Sequence, residues 1–168
     1  MRPVPLGGPV FSVREMPGYL LAWQRMALTI GPRLHAFFDE PLLAIVTTLN
    51  ARGTPEMTPI WYEFADGSIY FNGTRTRQWL QRMEGSGRAT FFLIDRQNAW
   101  RWAQIYGRVV EAADDPEVEQ FARLGQRYGR PIKPPIPDRR YLRIQITSVK
   151  GRAGTPSEHW DVAQDGQK

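Results

Sequence analysis

The sequence predicts a mainly β domain of the α+β class, a small closed or split antiparallel barrel of six strands with flanking helices. Three observations lead there. Six short segments are apolar and β-branched or alternate with period two, as pleated strands require. The links between them are mostly short, and one of them, Asp66-Gly67, is a strong hairpin signal. Segments of helical period are inserted between groups of strands and do not alternate with them one for one, which argues against a parallel α/β sheet.

Each element follows from its residues. Residues 1–17 are rich in Pro and Gly and read as an irregular arm. Leu20, Trp23, Ala27 and Ile30 recur at helical spacing and predict a helix over 19–30. Gly31-Pro32 breaks it, and Pro32 suits the first turn of a second helix that carries Leu34, Phe37 and Phe38 and ends before Pro41. The apolar run 42–49 reads as a buried strand and Asn50–Gly53 as a turn. Residues 56–64 form one strand, with Thr58, Ile60, Tyr62 and Phe64 on one face and Met57, Pro59 and Trp61 on the other. Ser68–Asn72 returns from the hairpin. Thr76, Trp79, Leu80 and Met83 then switch to a helix over 75–83. Residues 89–95 and 100–112 are strands joined by a polar turn. Asp115-Pro116 opens a helix as cap and first-turn proline, with Val118, Phe121, Ala122 and Tyr128 facing inward and Gly129 as its stop. Four prolines stiffen 130–138, and Arg140–Lys150 alternates as the last strand. The whole is one domain over 1–168: an arm and helix to residue 30, a core over 42–150, and a polar tail 151–168 that is a candidate for ordering only against a partner.

Composition sets bounds on function. A chain of 168 residues buries roughly 70 % of its unfolded surface and has no need of staples. With no cysteine it cannot be a disulfide scaffold, a zinc ribbon, an iron–sulfur protein or a thiol enzyme. No apolar run reaches the ~20 residues of a membrane span, and the N-terminus has no charged-then-apolar leader, so a cytoplasmic setting is expected. The net charge of +5 is carried almost wholly by arginines scattered along the chain, without the runs typical of nucleic-acid arms. There is no Walker loop, no GxGxxG and no HExxH. His35 lies in a helix among apolar residues and reads as structural, and His159 lies alone in the tail, so no metal site is expected.

Three places carry candidate chemistry. Pro59 interrupts a convincing strand and cannot donate a ladder hydrogen bond; an edge strand, or a ligand lying along the backbone, would each accommodate it. Arg75, Thr76 and Arg77 sit where a strand gives way to a helix. Guanidinium forks and helix amides there match a phosphate, although the same residues also suit a solvated helix start. Trp100 and Arg101 open a strand, and the indole could stack on a flat ring or pack in a core or an interface.

The order of pieces then becomes informative. Gly53-Thr54-Pro55-Glu56-Met57-Thr58-Pro59-Ile60-Trp61-Tyr62 is followed by Asp66-Gly67, by Asn72-Gly73-Thr74-Arg75-Thr76-Arg77-Gln78-Trp79-Leu80, and by Trp100-Arg101-Trp102 with Gly107 beyond. Over residues 42–150 this resembles the pyridoxamine-5'-phosphate-oxidase-like split β-barrels, and most of all the branch that uses the deazaflavin coenzyme F-420. The resemblance implies a six-stranded antiparallel split barrel and a bound FMN or F-420. It implies ring contacts from Thr58, Pro59, Ile60 and Trp61, and phosphate contacts from Arg75, Thr76 and Arg77. It implies a homodimer with the cofactor at the subunit interface, where Trp100 and Arg101 reach the partner's cofactor. The implied function is hydride transfer between that ring and a small organic substrate, with no catalytic side chain singled out. Two other functions fit the residues. One is a carrier that binds flavin, deazaflavin or haem without turnover. The other, less favoured, is a nucleic-acid-binding barrel reading single strands through Arg139, Arg140, Tyr141, Arg143 and Gln145.

Overall fold

A computed structural model describes residues 28–134 and 136–164. Its elements are β1 (Leu28–Ile30), α1 (Pro32–Asp39), β2 (Ala44–Leu49), β3 (Pro55–Ile60), β4 (Tyr62–Ala65), β5 (Ser68–Thr74), α2 (Gln78–Ser86), β6 (Arg88–Ile94), β7 (Arg101–Asp114), α3 (Glu119–Arg127), β8 (Arg139–Ala153) and β9 (Val162–Gln164). The main sheet is antiparallel, with strand order β3-β2-β6-β7-β8-β5-β4.

That order explains the strand count. The sheet has seven strands where six are expected, because the single strand predicted over 56–64 breaks at Trp61. Its first half, β3, pairs with β2; its second half, β4, pairs with β5. The two outermost strands are therefore consecutive in the chain. One run of backbone joins both edges of the sheet, which rolls it into a split barrel. A side chain stabilises the break. The Tyr128 hydroxyl accepts from the Tyr62 amide at 3.2 Å and donates to the Leu42 carbonyl at 2.5 Å, taking the place of a ladder partner. The Tyr128 ring stacks on Trp61 with centroids 4.8 Å apart and planes 4° from parallel.

The hairpin at Asp66-Gly67 forms as the sequence demands. Ala65 pairs with Ser68, and both loop residues have positive φ, 50° and 68°. The interior is filled by Leu34, Phe37 and Phe38 of α1, Trp79, Leu80 and Met83 of α2, and the inward rows Ala44/Val46, Phe91/Leu93 and Ile105 of the sheet.

Three local expectations need correction. The helix predicted over 19–30 lies outside the described residues except for its last three, and those form β1, which pairs with β9. The helix predicted from Asp115 starts four residues later. Its cap is still Asp115, whose carboxylate accepts the Gln120 and Phe121 amides at 3.2 and 3.0 Å, reaching over a turn in which buried Val118 is left-handed (φ 61°). The tail needs no partner to order it as far as residue 164. Trp160 is buried, stacks on Phe37 at 4.9 Å and donates to the Trp102 carbonyl at 2.8 Å, so the segment after β8 closes one end of the barrel.

Candidate functional site

The break at Trp61 opens a cleft. Leu43, Thr58, Pro59, Ile60 and Trp61 form one wall, and Asn72 and Gly73 of β5 form the back. Trp79 of α2, Phe121 and Leu124 of α3, and Arg77 and Arg139 complete it, around a volume of about 390 Å³. That volume falls within the range of small-molecule sites. Gly73 is needed for this shape, because a Cβ there would come within 2.8 Å of the Trp79 ring. Trp61 belongs to neither strand ladder, so the wall at that point is bare backbone and indole.

The cleft is lined mainly by apolar groups, with Arg77 and Arg139 among its lining residues and the charge of Arg77 felt at Arg139. Among the described residues, neither Arg77 nor Arg139 is in ion-pair contact with a carboxylate, whereas Arg33, Arg75, Arg82, Arg101, Arg123, Arg140 and Arg143 each are. Arg139 is half-buried. Its Nε donates to the Asn72 Oδ1 at 2.7 Å, and its plane sits 3.5 Å from the centre of the Phe121 ring. Burial pushes its pKa down to about 10; the nearby Asp115 charge opposes that fall and the Arg77 charge adds to it. The group is still a cation at neutral pH. Arg77 and Arg139 are the two cationic side chains among the described residues that line the cleft. Among the described residues, no His, Asp, Glu, Lys or Tyr lines the cleft.

Of the nine residues singled out from the sequence, Thr58, Pro59, Ile60, Trp61 and Arg77 line this cleft together. The others lie elsewhere. Arg75 forms an ion pair with Asp114, which Arg140 also engages at 2.6 Å. Thr76 shares a hydroxyl contact with Thr74 at 3.2 Å. Trp100 is 53 % exposed on a turn whose backbone is tied to Asn98. Arg101 is spent on Glu40 (2.5 and 3.0 Å) and Asp95 (2.7 Å) with Phe37 beneath it. Its charge lowers the Asp95 carboxyl pKa, second to the amide of Gln97.

Sequence reasoning missed Asn72, Phe121 and Arg139 as members of this site. Arg139 was legible only as one of two arginines opening the last strand. Its place becomes clear from the register that sets Thr74 opposite Arg139. Of the residues that suggested a nucleic-acid face, Arg140 pairs with Glu84 and Asp114, Arg143 pairs with Glu111, Tyr141 donates to Glu111, and Arg139 lines the cleft. Among the described residues there is no metal-ligating cluster, and no helix is long and apolar enough to cross a membrane.

Comparison with known proteins agrees with this architecture. The chain is 29 % identical over 119 residues to the F-420H2-dependent biliverdin reductase of Mycobacterium tuberculosis (strain CDC 1551 / Oshkosh), covering 70 % of this chain and 85 % of that protein. Its fold matches a solved F-420 reductase with a TM-score of 0.64 at 23 % identity, covering 68 % of this chain and 94 % of the other. It also matches General Stress Protein 26 from Bacillus anthracis str. Sterne, with a TM-score of 0.59 at 9 % identity over 79 % of this chain and 95 % of that one. The family model described as pyridoxamine 5'-phosphate oxidase matches residues 30–153, which is most of the chain, and the chain therefore belongs to that family.

Proposed function

We propose that this protein is an oxidoreductase that binds FMN or the deazaflavin F-420 in the cleft beside Trp61. The observation that supports the reading is that two arginines, Arg77 and Arg139, line a mostly apolar cleft. Both cofactors present a phosphate and a flat tricyclic ring, which matches that division. The phosphate binds between Arg77 and Arg139, and the ring lies along Thr58, Pro59, Ile60 and Trp61. Pro59 offers no amide there, while the unladdered peptide at Trp61 is available to the ring edge. Trp79, Phe121 and Leu124 exclude water from it.

When bound, the ring supplies hydride transfer to or from a substrate stacked on its open face. The chain's residues bind, orient and desolvate. Solvent is the proton source in this reading. The named relative makes biliverdin the first substrate to assay.

A homodimer completes the site in this reading. The face of the β2-β6-β7 sheet turned away from the core presents Ile45, Phe92, Ile94 and Trp102, with Met57 and Leu43 beside them. Such a continuous apolar face suits a second copy of the chain. Trp100 stands at its margin as the contact to the partner's cofactor, and Arg101 supports the turn that carries it. Thr76 and Arg75 shape the loop that delivers Arg77.

The absence of acid–base side chains favours one second reading, a carrier that binds the same ring without turnover. Fluorescence-quenching titration with FMN and, in parallel, F-420 tests the first half of the proposal, since Trp61 and Trp79 both line the cleft. Saturable quenching by one of them is expected, and no quenching by either overturns the reading. Oxidation of the reduced cofactor by substrate then separates the enzyme from the carrier.

A further inference from the structure

Arg139 is held on three sides, and every tie leads to Asp115. Its Nε edge donates to the Asn72 Oδ1 at 2.7 Å, and the Asn72 Nδ2 donates to the Asp115 Oδ2 at 2.9 Å. Its face lies 3.5 Å from the centre of the Phe121 ring, and the Phe121 amide donates to the same Asp115 Oδ2 at 3.0 Å. Its carbonyl accepts the Asp115 amide at 2.9 Å. Asn72 and Asp115 are both buried. The Asn72 amide accepts from the guanidinium and donates to the carboxylate at once, and so links the two. The edge and the face of the guanidinium are thus fixed, and its two terminal nitrogens carry no ion pair. Asp115 itself does not line the cleft.

We infer that Asp115, acting through Asn72 and Phe121, is the positioning residue for Arg139, setting its terminal nitrogens as a fork for the cofactor phosphate. The inference rests on the phosphate site proposed above. A helix cap alone would call for Asp115 but not for Asn72, and a simple salt bridge would bring Asp115 directly onto Arg139. The arrangement found does neither. It uses the carboxylate to aim a cation without neutralising its outer edge, so the fork stays available to a ligand.

The test is the preference for a phosphorylated over a phosphate-free ring, measured as the ratio of affinities for FMN and riboflavin, and for F-420 and its phosphate-free riboside. Wild type is compared with Asp115→Asn, Asn72→Ser, Arg139→Ala, and the Asp115→Asn/Arg139→Ala pair. Asp115→Asn is expected to reduce the preference by about tenfold while riboflavin affinity stays within about twofold, and Asn72→Ser, which shortens the link to Arg139, is expected to reduce the preference by a similar factor. A merely structural role would weaken both ligands alike. In the Arg139→Ala background, Asp115→Asn should change the preference no further. An unchanged preference in both single variants overturns the inference, as does an Asp115→Asn effect that persists in full without Arg139. If Asp115→Asn fails to fold, Asn72→Ser decides, because it leaves both helix-cap bonds in place. A wild-type protein that binds the rings but shows no phosphate preference would overturn the phosphate site itself. That result is distinct from a preference that survives the variants.

Discussion

The two ends of the barrel each lay an arginine over a phenylalanine, and they use it in opposite ways. At the closed end, Arg101 lies 4.7 Å from the centre of Phe37 and is satisfied by two carboxylates, Glu40 and Asp95. At the open end, Arg139 lies 3.5 Å from the centre of Phe121 and has only the neutral amide of Asn72 as a side-chain partner. The first arrangement is complete in itself and ties α1 to the β6–β7 turn. The second leaves the terminal nitrogens of Arg139 without an ion pair among the described residues. An arginine count therefore says little about ligands; what matters is which cations the fold leaves without a carboxylate.

The contrast can be broken by mutation, most strongly at the open end. Arg77→Ala with Arg139→Ala should lower FMN or F-420 affinity by roughly a hundredfold or more, since each charge-assisted contact is worth about 1.5–3 kcal/mol. Fluorescence titration reads the loss, and the melting temperature should hardly move. At the closed end the pattern should reverse. Trp160→Ala removes a buried ring and should cost about 3–5 kcal/mol, a fall of about 10 °C in Tm, with cofactor affinity unchanged in the folded protein. Arg101→Ala leaves Glu40 and Asp95 without their cation and should cost about 2 kcal/mol by denaturant titration.

The smallest effect is on pH dependence. Asp95 is held below its ordinary carboxylate range, first by the Gln97 amide and then by Arg101. A carboxylate with a lowered folded pKa contributes stability above its unfolded value, near 4, and that contribution disappears as pH falls through the folded value. Thermal melts between pH 7 and pH 2 should therefore show a shallower acid decline in Arg101→Ala than in wild type. The Arg77→Ala/Arg139→Ala variant should follow the wild-type curve.

Much of the fold was legible where the determinants are local. The Asp66-Gly67 turn, the helix with Leu34, Phe37 and Phe38, and the apolar run of β2 each declare themselves within a few residues. The misses are long-range. The strand over 56–64 reads as continuous because its alternation continues through Trp61. It is divided by Tyr128, more than sixty residues away, whose hydroxyl substitutes for the missing ladder. The tail reads as polar because Trp160 is its one large apolar residue, and the Phe37 surface it covers is visible only once the barrel is formed. In the site, the wall from Thr58 to Trp61 and Arg77 lie in one stretch of chain and were found together. Arg139 and Phe121 come from elements beyond β7, and only the β5–β8 register and the α3 cap bring them to Asn72.

The strand from Pro55 to Ala65 joins both edges of the sheet and also forms the wall of the cleft. A ligand lying across Trp61 would therefore act as a clasp on the barrel's own seam. Opening that seam would require the ligand to leave first, so occupancy should slow hydrogen exchange along β3 and β4 more than in the Trp160 end. The stabilisation should grow with the logarithm of ligand concentration. In this barrel, the ease of unzipping and the strength of binding would then report on the same few peptide groups.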